Sequence, residues 1–166
     1  EATLHEPLPV DRNSLGLPLT VDAMRESIRG NRNGLPFAEA NSALAGVTIP
    51  GVTQQGTLTV HCSWTRYGLG GSTQLDGVDL PANVGSDIPG LGKLVLNEQH
   101  REVITVWGAD GPHDAEVLYI FGAHLTLTAD AASEYHTTDI ILGFTSCDPQ
   151  LPGNLGGTLQ ITNPAS

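Results

Sequence analysis

A chain of 166 residues can bury one core without depending on staples, so a single domain with an arm is expected. Only 15% of its residues are charged while 20 are Gly and 11 are Pro, which favours many short strands over a helical bundle. The net charge of -11, with Lys93 the sole lysine, argues against nucleic acid or anionic membrane as a partner, because no basic surface exists to displace counterions.

No run approaches the roughly 18 apolar residues a spanning helix needs, so membrane insertion is not expected. The chain starts at Glu1 rather than Met, which reads as an export product after cleavage. Bacterial secretion fits the absence of Asn-x-Ser/Thr acceptors, with Asn41-Ser42-Ala43 the nearest miss. Cys62 and Cys147 permit one intramolecular pairing, and closing so long a loop contributes about 4–5 kcal/mol in the chain-entropy view. Neither lies in a CxxC or CxxCH motif, which leaves a disulfide or two inert buried thiols as the readings.

Residues 1–19 carry Pro7, Pro9 and Pro18 among isolated leucines and suit an extended arm or edge strand. Thr20 is placed to cap a short helix over Val21–Arg29, with Val21, Met24 and Ile28 on its apolar stripe and Gly30 as its stop. Residues 31–46, rich in Asn, Gly and Ala, read as irregular, with a helical turn around Phe37–Ala45 at most. The arm with its short helix therefore occupies 1–46 and a β-sandwich 47–166.

From residue 47 the period is two. In Thr57–Tyr67, Leu58, Val60, Cys62 and Trp64 alternate with polar residues, as a half-buried strand requires. Gln74–Leu80 follows, then a turn-rich stretch to Gly92. Lys93–Gln99 and Glu102–Trp107 read as two strands paired across His100–Arg101, and Gly108–Asp114 as a turn. Ala115–Ala129 is the clearest strand, apolar on both faces through Val117–Phe121 and changing its covering around Gly122. Thr137–Cys147 and Gly157–Ile161 complete seven or eight strands. The expected class is all-β: an antiparallel sandwich of Ig-like, Greek-key or jelly-roll type, with an extended N-terminal arm and one short helix.

The runs Gly92-Lys93-Leu94-Val95-Leu96-Asn97-Glu98-Gln99, Val117-Leu118-Tyr119-Ile120-Phe121-Gly122-Ala123-His124-Leu125-Thr126-Leu127 and Thr138-Asp139-Ile140-Ile141-Leu142-Gly143-Phe144-Thr145-Ser146-Cys147 occur in that order. Over roughly residues 55–148 the chain thereby resembles the choice-of-anchor P family of secreted, β-rich actinobacterial proteins. The resemblance implies extracellular or cell-surface placement, a disulfide from Cys62 to Cys147, and no reaction. Residues 159–166 lack a hydrophobic tail and Leu151–Leu155 is not a sorting signal, so retention by assembly is expected rather than covalent wall attachment.

Candidate chemistry is sparse. His124 and His136 flank one hairpin with Asp130 and Glu134 in its loop, a spacing that is not diagnostic of a metal site. His124 on the polar side of a strand reads first as bonded to a cross-strand partner. Asp110–Asp114 and Asp76–Asp79 read as Asp-Gly turns rather than calcium loops. Gly71-Ser72 and Gly85-Ser86 both fail the Gly-x-Ser-x-Gly elbow, and no phosphate loop, dinucleotide fingerprint or His-Glu-x-x-His helix occurs. The expectation is a protein with no catalytic residues, no cofactor and no metal. Trp64 and Tyr119 lie in apolar runs and read as core, whereas Trp107 beside Gly108 is the aromatic most suited to exposure.

The arm's Leu4, Leu8, Val10, Leu15, Leu17 and Leu19 can fill a neighbouring subunit's groove while the backbone adds a strand to its sheet. The function read from sequence is thus a secreted structural subunit of a surface assembly or filament, its partners copies of itself. The first alternative is an extracellular ligand- or glycan-binding module centred on Trp107, Asp110 and Asp114. The second is a viral decoration or tail protein.

Overall fold

The computed structural model describes residues 18–31, 37–108, 111–147 and 160–162. It is an all-β sandwich. One antiparallel sheet contains β1 (Ala23–Asn31), β2 (Phe37–Ile49), β3 (Thr53–Thr65), β4 (Gly68–Leu75) and β5 (Val78–Asp79), side by side in chain order. The second contains β6 (Val84–Ile88), β7 (Gly92–Gly108), β8 (Gly111–Leu127), β9 (Asp139–Cys147) and β10 (Gln160–Thr162), again in chain order. The sandwich is therefore two meanders in series rather than an interleaved Greek key or jelly roll. A short helix, α1 (Ala129–Tyr135), joins β8 to β9.

The inner faces follow the alternation of the sequence. Leu44, Leu58 and Val60 from the first sheet meet Leu118, Ile120, Leu125, Ile140 and Leu142 from the second, all fully buried. Cys62 on β3 and Cys147 on β9 form a disulfide across the two sheets, with Cα atoms 5.9 Å apart and a sequence separation of 85. Close sheet approach is enforced at Gly71, where an added Cβ would lie 2.0 Å from the Ile120 Cδ1 atom of the opposite sheet. The β4–β5 turn uses Asp76 and Gly77 at φ 52° and 79°, the left-handed pair that an Asp-Gly hairpin supplies.

Four expectations are corrected. The segment expected as a helix over Val21–Arg29 is strand β1, paired residue for residue with β2 from Ala23↔Ala45 to Asn31↔Phe37. Met24 and Ile28 are four apart, a spacing that satisfies the period of a strand as well as that of a helix. A nine-residue helix is marginal alone, whereas an edge strand gains a full ladder from its neighbour. The segment read as irregular is β2, whose burial alternates although its inward residues include Ala38, Ala40 and Ser42. Position 47 lies within β2, so the sheet is not broken at the expected boundary between arm and sandwich. Finally, Lys93–Gln99 and Glu102–Trp107 do not pair with each other: they are one strand, β7, whose partner is the equally long β8, 17 residues in each.

Candidate functional site on the outer face of the second sheet

The side chains that could do chemistry are gathered by one irregularity in the second sheet. On β8, Leu118 and Ile120 point into the core and Tyr119 and Phe121 out of it, yet beyond Gly122 the buried residues are Leu125 and Leu127 and the outward ones His124 and Thr126. The alternation slips by one at Gly122. It does so at the same level on the flanking strands, where Asn97 on β7 and Gly143 on β9 take φ values of 49° and 67°. The ladder loses no register, because Leu96↔Ala123 and Glu98↔Phe121 on one side and Phe121↔Phe144 and Ala123↔Leu142 on the other continue in phase. Without the slip, Phe121 and His124 would face opposite sides of the sheet. With it their ring centroids are 5.7 Å apart.

β7 divides its polar side chains accordingly. Asn97 Nδ2 donates to the Leu80 carbonyl at 2.7 Å and Gln99 Nε2 to the Gly71 carbonyl at 3.2 Å, both toward the first sheet. Glu98 and His100 face outward. The Glu98 carboxylate meets His100 Nε2 at 2.7 Å and His124 Nδ1 at 2.5 Å, while His124 Nε2 lies 2.9 Å from Asp139 Oδ1. Thr126 Oγ1 donates to the same Asp139 oxygen at 3.0 Å. A neutral imidazole has one N–H and can donate to only one of these carboxylates, whereas the imidazolium donates to both. Burial alone raises Glu98, but the hydrogen bonds from His124 and His100 outweigh it and hold the carboxyl below its usual range. Asp139 is likewise raised by burial and lowered further by the bonds from His124, Thr138 and Thr126.

An aromatic strip adjoins this chain of charge. Phe144 lies 5.4 Å from Phe121 at 25° between ring planes and 6.2 Å from Tyr119 at 15°, and His100 sets its edge against Phe121 at 5.8 Å. Together His100, Glu102, Tyr119, Phe121 and Phe144 line an open groove of about 460 Å³.

The structure separates the residues singled out in the sequence. Cys62 and Cys147 are joined. Of the arm residues, Leu19 is buried in the chain's own core, and Leu4, Leu8, Val10, Leu15 and Leu17 lie outside the described residues. Trp107 is 82% exposed near the end of β7, remote in register from the groove. Asp114 is exposed and accepts from Thr105 Oγ1 at 3.1 Å, and Asp110 lies outside the described residues. His124 does bond to cross-strand partners, on both sides. His136 instead forms the left-handed C-cap of α1, a helix where a hairpin loop had been expected. Tyr119, read as a core residue, is half-buried on the outer face, because β8 alternates through its apolar run.

Glu98, His100, Phe121, Asp139 and Phe144 escaped the sequence reading as a group. The available signal was Gly122, since a glycine inside a strand marks a bulge, and a one-residue slip there moves His124 onto the face of Phe121. Among the described residues no cluster of three or more His, Cys, Asp or Glu is arranged to hold a metal ion. No protein-family model, curated protein or solved structure matches the chain.

Proposed function

We propose that this chain is a non-catalytic structural subunit of an extracellular assembly, coupled to its neighbours by the segment preceding residue 18. The observation that carries the reading is the edge of the first sheet: β1 (Ala23–Asn31) ends its strand order and, among the described residues, pairs with β2 alone. A strand edge of this kind is a template for a further extended segment. Residues 1–17 have the matching composition, with Leu4, Leu8, Val10, Leu15 and Leu17 among prolines, a residue type suited to edge positions. Their root is fixed, because Leu19 and Val21 are 1% exposed and Thr20 bridges Thr48 through hydrogen bonds of 3.2 and 2.9 Å. In this proposal Leu19 anchors the segment at home and the residues before it reach a neighbour. If successive rotations do not close, the product is a filament. Secretion and kinship to the choice-of-anchor P proteins form part of the same proposal, supported by the motifs in β7, β8 and β9.

Deleting residues 1–17 tests the coupling by light scattering on gel-filtered protein. The full chain should give large species and the truncated chain a monomer with an unchanged far-ultraviolet spectrum. Large species that survive the deletion contradict the reading. A ligand-binding module remains the second reading, favoured by the exposure of Trp107, and Trp107→Ala should then abolish binding without changing assembly.

A further inference from the structure

The outer-face groove has a chemistry of its own, independent of any coupling through residues 1–17. We propose that it receives the guanidinium or ammonium group of a basic peptide segment on a partner protein. Three aromatic rings, Tyr119, Phe121 and Phe144, form the wall, and aromatic faces attract cations through their quadrupole. Glu102 lines the same groove and is exposed, and among the described residues no cation pairs with its carboxylate. Arg101, its neighbour on β7, is committed elsewhere: it donates to the Leu69 carbonyl at 2.9 Å and pairs with Glu116 at 3.3 Å. Glu98, bonded to the groove residue His100, adds a second carboxylate on the same outer face, and hydrogen bonds from His124 and His100 hold it in the ionised form.

Charge decides among the possible occupants. The chain carries a net charge of -11, which repels an anion and draws in a cation from a distance. A neutral sugar could stack on the rings but would gain nothing from the field of Glu102 and Glu98. Guanidinium gains from both features, since it stacks on aromatic faces and forks onto carboxylates, so arginine should be preferred to lysine.

The test is fluorescence polarisation of the full chain with the labelled peptide Gly-Arg-Gly-Arg-Gly, its Lys and Glu counterparts, and neutral maltohexaose as competitor. The Arg peptide should bind saturably, more weakly with added salt, and about tenfold more weakly to Glu102→Gln, an exposed substitution that leaves the core untouched. Trp107→Ala should bind as the parent does. Phe144→Leu should also weaken binding, and Glu102→Gln keeps the test decisive where that core-adjacent variant folds poorly. Absence of saturable binding, equal binding by Glu102→Gln, equal binding of the Glu peptide, or displacement by maltohexaose overturns the proposal.

Discussion

Three carboxyls on this protein, Glu26 on one side and Glu98 with Asp139 on the other, should make stability respond to pH in opposite directions. Glu26 sits on the edge strand β1, on the inward side shared with Met24, and burial pushes its carboxyl up to about 7 from 4.5. The native state then holds a proton that the unfolded chain releases. Its stability is undiminished below pH 4.5 and declines as pH rises from there toward 7. Glu26→Gln stays neutral, so its melting temperature should match the parent's in acid and exceed it at about pH 8. Equal melting temperatures at both pH values contradict this placing of Glu26. Glu98 and Asp139 have the reverse sign. Their carboxyls are held below the usual range, so their contribution is present above that range and is lost as pH falls through the depressed values. Glu98→Gln should cost on the order of 1 kcal/mol at neutral pH by urea denaturation, with the difference from the parent closing in strong acid. A cost that is constant with pH would show that the charge of Glu98 is immaterial.

At the scale of elements, the slip across β7, β8 and β9 is the feature on which the outer face depends. A Cβ on Gly122 would stand 2.6 Å from Val60 Cγ2 and 2.9 Å from the Leu142 carbonyl oxygen, so Gly122→Ala has to push the two sheets apart. It should destabilise by about 1–3 kcal/mol, whereas Gly70→Ala, with nothing within 4 Å, should be nearly silent. Equal effects in thermal denaturation would mean that the sheets are not in close contact at Gly122. This level of structure was only partly legible beforehand. Strands with large inward residues, such as Leu58, Val60 and Cys62, announce themselves. β2 does not, since Ala38, Ala40 and Ser42 have weak strand preference of their own, and pairing on both sides makes it a strand. β1 is ambiguous in the sequence because Met24 and Ile28 fit two periods equally, and no local rule chooses between them. The charged cluster beside the groove was illegible for a different reason: His124 shares a face with Phe121 and its cross-strand partner Phe144 only after a phase change whose marks, Gly122 and Gly143, specify no direction by themselves.

For the whole molecule, the disulfide ties one meander to the other, alongside packing, the connection from β5 to β6 and side-chain hydrogen bonds such as those of Gln99 to Gly71 and Arg101 to Leu69. Replacing both cysteines by alanine should lower the unfolding free energy by about 4–5 kcal/mol, measured in guanidinium, and a loss below about 1 kcal/mol would contradict that role. Sequence reached the sandwich and the Cys62–Cys147 pair, but it could not say whether the N-terminal segment serves its own sheet or another's, since the same apolar spacing suits both. That question is the one on which the assembly stands. The most direct measurement places a photo-crosslinking residue at Leu8, mixes chains of natural and ¹⁵N-enriched isotope composition before assembly, and reads the crosslinked peptides by mass spectrometry. Coupling between subunits gives peptides that join one chain of each isotope, with the acceptor mapping to Ala23–Asn31. Crosslinks confined to single chains would contradict it.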